Sequence, residues 1–399
     1  MSSPTTPLVD RFAEHFGNTG NPLLSVTVPA RSEIAGNHTD HEGGDVIGGA
    51  LDARIEAVCA LNGTGTARIE SVGYGGFEID LANLAVQASE QETTASLARG
   101  MASELAATGR TPQGFDLIMQ SSIPSGSGLS SSAAVELAFG RAMEALWEGA
   151  AIDAVTLAKM AQRTENNYFG KPCGAQDQLA SACGGTVLLD FASAVPRVTP
   201  LAFDATGVGY AVVLIDSRQD HSVHTEEFAS VPADMRMVAN HLGVARLGDT
   251  TADVLLANLQ DVRAALGDGR AMRALHYFDE VARVDRQREA LEAGDFPLFL
   301  KCVRLSGASS AQFLQNVSPR DTGSGERQPA MLIQGLCAHL LSEEGAWRIH
   351  GGGFGGSVLA LVPRAEVADF METMDKLLGY RACREVVVGG PGVLARRLS

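Results

Sequence analysis

The segment that most restricts what this chain can become is Pro124-Ser-Gly-Ser-Gly-Leu-Ser-Ser-Ser-Ala-Ala134. It follows FDLIMQ (115–120), which reads as a strand, and runs into SSSAAVELAFGRAMEALWE, rich in strong helix formers. The order is strand, glycine loop, helix. The first N–H groups of a helix lack partners within it, and the helix dipole favours negative charge there. Glycine lets an anion's oxygens approach where a Cβ would collide. One or more of the three serines can donate to a phosphate or ligate Mg²⁺. A plain serine-capped helix after a glycine turn uses the same residue types, so the loop acquires chemical meaning only from partners elsewhere in the chain.

Charge restricts what those partners serve. With 47 acidic and 31 basic residues among 399, the net charge is −16. Such a field opposes a nucleic-acid backbone and an anionic membrane, both of which need a basic footprint. A small molecule fits better, and an anionic one must be held by local backbone donors and a metal ion. The start, MSSPTTPLVDRFAEHFG, has neither the basic segment nor the apolar stretch of a signal peptide, and no run of about 18 apolar residues occurs, so a cytoplasmic location is expected. The six cysteines (59, 173, 183, 302, 337 and 383) form no C-x-x-C pair, which argues against a zinc site or disulfide framework.

Residues 23–28 and 54–60 read as strands flanking a glycine-rich loop from Ala35 to Gly49. A helix is expected from Ile152 to about Glu165, then a loop holding GKPCGAQDQ, then a strand TVLLDF. The Pro- and Gly-containing stretch at 196–207 before GYAVVLID (209–216) suggests a domain boundary near residue 205, giving units of 1–205 and 206–399. Helices are predicted at 231–243, 251–265, 269–292, 296–315, 329–342 and 364–378, with a Ser/Arg/Gly-rich loop at 316–328, a strand SVLALV and a final strand REVVVG.

The Ser-rich string lacks the lysine of a Walker motif, so a P-loop is excluded. It resembles the second motif of the GHMP kinases, P-x-x-x-G-L-S-S-S-A. Two further strings complete the resemblance, Ala30-Arg-Ser-Glu-Ile-Ala-Gly-Asn-His-Thr-Asp-His41 and Gly351-Gly-Gly-Phe-Gly-Gly356. The second also matches G-x-G-x-x-G, yet a strand follows it where a dinucleotide fingerprint needs a helix. Because H-T-D and Pro172-Cys-Gly-Ala-Gln-Asp-Gln178 are of galactokinase type, the chain is similar to the galactokinases within that superfamily. The resemblance implies an α+β, two-domain GHMP kinase fold: an N-terminal ribosomal-S5-like domain, a C-terminal ferredoxin-like domain and a site between them. It also implies ATP and Mg²⁺ as cofactors and galactose as substrate; the charge argues against a nucleic-acid or membrane partner, and a monomer is favoured with the oligomeric state left open.

Residue by residue, the resemblance gives catalytic roles to Arg31 and Asp177, the latter as base for the anomeric hydroxyl or as partner that aims Arg31 at the γ-phosphate. Sugar contacts fall on Asn37, His38, Asp40, Gly174 and Phe228. ATP contacts fall on Gly126, Ser127, Gly128, Leu129, Ser130, Ser131, Ser132 and Ala133, and metal contacts on Ser132 and Glu165. The grouping of His38, Asp40 and His41 is not a zinc pattern. Four positions depart from the family strings: Asn37 replaces an acidic residue that contacts the sugar 6-hydroxyl, Phe228 a tyrosine, Glu33 an asparagine and His350 a threonine. These departures leave open a related kinase for an N-acetylated hexosamine, a uronic acid or arabinose. A non-catalytic sugar sensor on the same fold is a third possibility, disfavoured by the intact serine string.

Overall fold

A computed structural model describes residues 6–18, 20–124, 128–219, 224–319 and 328–398. The strands are β1 (Leu24–Ala35), β2 (Val46–Leu61), β3 (Thr66–Ser71), β4 (Gly75–Asp80), β5 (Phe115–Ser121), β6 (Thr186–Asp190), β7 (Arg197–Leu201), β8 (Tyr210–Asp216), β9 (Ala346–Ile349), β10 (Ser357–Pro363), β11 (Cys383–Val386) and β12 (Leu394–Arg397). They form two sheets. One runs β12-β1-β2-β5-β3-β4 with β6 and β7 attached to β2, and the other runs β11-β8-β10-β9. The last strand thus returns to the first sheet, with Leu24 opposite Arg397.

The helices are α1 (Thr6–Phe16), α2 (Thr94–Ala106), α3 (Ser131–Leu146), α4 (Ala154–Thr164), α5 (Gln176–Cys183), α6 (Thr225–His241), α7 (Ala252–Ala257), α8 (Leu259–Leu266), α9 (Asp268–Ala293), α10 (Phe296–Ser309), α11 (Pro329–Leu341) and α12 (Val367–Leu378). Helices α2 to α5 pack together, and α3 and α5 also lie on β1 and β2. Their apolar faces bury Leu97, Met101, Leu137, Phe139, Leu157 and Leu179. A second core under the other sheet holds Ile215, Ile333, Val358 and Phe370. A third gathers α6 to α9 around Val231, Met235, Val262 and Tyr277. The architecture is the expected mixture of sheets and helices of the GHMP kinase type.

Several elements differ from the sequence expectation for identifiable reasons. Strand β1 continues through Ser32 and Glu33 because these polar residues are buried with partners. The glycine-rich loop is shorter than expected: Gly48 and Gly49 belong to β2, where a Cβ on Gly49 would stand 2.4 Å from Val388. The expected helix over 251–265 divides at Asn258 into α7 and α8. Pro232, which reads as a helix start, sits inside α6. Elements α1, α2, α5, β3, β4, β7, β9 and β12 were not anticipated.

Candidate active site

Three turns and two helix starts deliver side chains to one cavity of about 480 Å³, within the ordinary range for small-molecule sites. Strand β1 carries Arg31, and the turn after it carries His38 and Asp40. Helix α5 begins one residue before Asp177, and the β9–β10 turn supplies Gly352 to Gly356.

Arg31 and Asp177 meet. Arg31 Nε donates to Asp177 Oδ1 at 2.6 Å, and another guanidinium nitrogen donates to the Gly128 carbonyl at 2.8 Å. Ser130 Oγ donates to the second carboxylate oxygen. Ser130 is the residue before α3 and holds a left-handed backbone at φ 56°, a rare state for a non-glycine residue that clusters at functional sites. Burial alone would raise the Asp177 pKa, but the Arg31 charge and the Arg31 and Ser130 hydrogen bonds outweigh it and hold the carboxyl below its usual range. Asp177 is therefore an anion with both oxygens engaged.

At the start of α3, Gly128, Leu129, Ser130, Ser131 and Ser132 line the cavity. Ala133 does not: its side chain is fully buried in the core. Gly126 and Ser127 lie outside the described residues, as does the 320–327 part of the Ser/Arg/Gly-rich loop. Ser132 Oγ donates to Glu165 Oε1 at 3.0 Å, while Glu165 Oε2 accepts from Gln178 at 2.8 Å and from the Cys173 thiol at 3.1 Å. Glu165 opens a π-helical turn over Glu165–Phe169, a local widening often found at functional sites. Beneath it lies Glu136. Burial and the neighbouring Glu165 charge push the Glu136 carboxyl well above its ordinary range.

Asp40 faces Gly174 so closely that a Cβ there would stand 1.9 Å from Asp40 Oδ2. His38, at φ 60°, places Nε2 2.8 Å from the Gly352 carbonyl. Burial, then the nearby His41, lowers the His38 pKa to about 3, so the ring is neutral. A neutral ring bound to a carbonyl must donate through Nε2, which leaves Nδ1 as a buried acceptor with no partner among the described residues. Phe228 packs against this ring at 5.1 Å between centroids.

Asn37 needs correction. It does not line the cavity: its side chain is wholly buried, its amide nitrogen donates to Glu33 Oε1 at 3.0 Å and to the Gly351 carbonyl at 2.7 Å, and its oxygen accepts from Ser310 and Asn316. Every polar atom it could offer a sugar is occupied. Glu33 lines the cavity instead, held by Gln176 at 2.5 Å and by the buried Arg348. The sequence reading also gave no role to Glu92, Phe169, Lys171 or Gln176, all on the cavity wall. Lys171 immediately precedes the recognised Pro172–Gln178 string and Gln176 lies within it, which was the signal available for them. Among the described residues, no three His, Cys, Asp or Glu side chains are grouped to hold a metal, so His38, Asp40 and His41 do not form a metal centre.

Comparison with known proteins bears on the family. Residues 96–185 match the family model for the GHMP kinases N terminal domain, and residues 10–61 match that for the galactokinase galactose-binding signature. The galactokinase of Streptomyces coelicolor is 31% identical over 397 residues, covering 98% of this chain and 97% of its own length. That of Actinobacillus pleuropneumoniae is 29% identical over 371 residues, covering 91% of each. Among solved structures, Lactococcus lactis galactokinase complexed with galactose superposes with a TM-score of 0.84 at 24% identity, covering 99% of this chain and 100% of that one. The mevalonate kinase of L. major superposes less closely, with a TM-score of 0.62 at 18% identity over 92% of this chain and 96% of its own. With a relative that similar along its full length, and with the carboxylate, guanidinium and serine-rich helix start gathered in one cavity, this chain belongs to the galactokinase family of the GHMP kinases.

Proposed function

We propose that the cavity takes ATP and α-D-galactose and transfers the terminal phosphoryl group to the anomeric hydroxyl, giving galactose 1-phosphate and ADP. The supporting observation is the contact of Asp177 with both Arg31 and Ser130, the residue just before α3. Phosphoryl transfer asks the protein chiefly to position the acceptor and to stabilise charge on the equatorial oxygens. Arg31 stabilises that charge. Asp177 holds Arg31 in line and receives the hydroxyl proton only late, since its low pKa makes it a weak base. Asp40, His38 and the ring of Phe228 form the sugar end, where Gly174 leaves room for the Asp40 carboxylate.

Ser132 and Glu165 fit magnesium, which typically takes one or two carboxylates and completes its shell with water and phosphate oxygens. When bound there it neutralises charge on the nucleotide's phosphates. We propose two lobes that divide near residue 205, with β12 returning to the sheet of the first, and we expect a cytoplasmic monomer, to be checked by size exclusion with light scattering.

A second sugar is favoured by two observations: Asn37 is withdrawn from the cavity and Phe228 brings no hydroxyl. ADP release measured on a panel of galactose, N-acetylhexosamines, uronic acids and arabinose decides between them. Galactose is expected to turn over fastest, and ADP release with another sugar but not with galactose would overturn the assignment.

A further inference from the structure

The cavity wall carries five carboxylates, Glu33, Asp40, Glu92, Glu165 and Asp177, against two side chains of the Lys/Arg type, Arg31 and Lys171. A nucleotide polyphosphate adds more negative charge to an already acidic site. Arg31 is largely committed, with Nε on Asp177 and a second nitrogen on the Gly128 carbonyl. Lys171 is not. Its ammonium stands 3.7 Å from Glu165 Oε1, beyond hydrogen-bond distance, with 36% of the side chain exposed.

The backbone fixes where the Lys171 side chain starts. In the π-helical turn, the N–H groups of Gly170 and Lys171 both donate to the Glu165 carbonyl, at 3.0 and 3.2 Å. Gly170 makes this possible at φ +91°, where a side chain would be strained. Lys171 is thereby tied to the residue whose carboxylate faces Ser132. The same oxygen, Glu165 Oε1, lies 3.0 Å from Ser132 Oγ and 3.7 Å from Lys171 Nζ, so the ammonium stands beside the opening of α3. That is where the helix's free N–H groups and dipole already favour an anion.

We propose that Lys171 is a nucleotide-binding residue that contacts the terminal phosphate oxygens of ATP, as a second cation alongside Arg31. The inference rests on the kinase reading of the cavity. An ammonium on a four-carbon stem is a mobile point charge suited to following a phosphate group. It adds affinity for the polyphosphate and none for the nucleoside or the sugar.

The test compares equilibrium binding of ATP and AMP, with magnesium, to the parent, Lys171→Met and Lys171→Arg proteins by calorimetry. Charge-assisted hydrogen bonds of this kind correspond to roughly tenfold or more in affinity. Lys171→Met is expected to weaken ATP by about that factor and AMP by less than about twofold, with the galactose KM little changed. Lys171→Arg is expected to recover most of the loss. Equal weakening of ATP and AMP, or none of either, would overturn the proposal and leave Lys171 as a surface counter-ion to Glu165. Lys171→Gln serves the same comparison should the Met variant fail to fold. Parent protein that binds ATP but turns over no galactose would sink the sugar assignment while leaving the ATP-to-AMP ratio readable.

Discussion

Asp177 illustrates how single side chains set the chemistry. Its two oxygens are taken by Arg31 and Ser130, and its pKa lies below the carboxylate norm, so it is an anion at neutral pH. Asp177→Ala is expected to lower kcat by roughly 10²–10⁴ with ATP affinity nearly unchanged, measured by coupled ADP release and calorimetry. Asp177→Asn keeps the shape and one acceptor; a far smaller loss for Asn than for Ala would show that orientation of Arg31 outweighs proton removal. Gly174→Ala tests a residue that acts by lacking a side chain. Its Cβ would occupy the Asp40 carboxylate's place, so the galactose KM is expected to rise at least roughly tenfold while ATP binding holds. These residues were legible because the strings around them are long and rare. Asn37 was misread because a string tells which residue occupies a position, whereas its partners Ser310, Asn316 and Gly351 come from distant parts of the chain.

Helix α9 is the element that braces the turn carrying His38 and Asp40. Its His276 ring binds the Asn37 carbonyl and its Glu280 accepts from the Asn37 N–H, from Ser306 and from Arg283. Burial alone would raise the Glu280 pKa, yet the charges around it lower it to about 2. His276 is itself kept from protonating by burial, so at neutral pH Arg283 and Arg348 carry that effect. A carboxyl with a depressed folded pKa stabilises above its unfolded value, about 4.3, and that contribution fades as pH falls toward 2. Glu280→Ala is expected to cost about 3–5 kcal/mol at neutral pH by leaving the largely buried Arg283 unpaired. In denaturant titrations the gap from the parent should narrow between about pH 5 and pH 3. Helix α9 itself was expected from its composition, and α3 from its alanines and leucine, but α5 was not, because a glycine-containing loop string runs directly into its eight residues.

On the scale of the whole molecule, the site is closed by buried contacts between the two sheets. Arg348 of β9 is fully buried and reaches β1 through Glu33 and the Ile34 carbonyl. Ser32 and the Glu33 N–H meet His350. The sequence marked Glu33 and His350 only as departures; the structure shows them in contact, a pairing across some three hundred positions that no local pattern carries. Deleting residues 391–399 removes β12 and bares the edge of β1 that leads to Arg31. We expect the melting temperature to fall by roughly 5 °C or more in calorimetry, with activity lost in proportion to the unfolded fraction.

Strand β12 also bears on how the chain reaches its native state. Leu24 finds its neighbour Arg397 across more than 370 positions, so the margin of the sheet that holds the guanidinium can close only through a contact of very large sequence separation. Contacts this distant are slow to form because loop closure must precede them, and until β12 docks the margin of β1 stays open to mispairing with other strands.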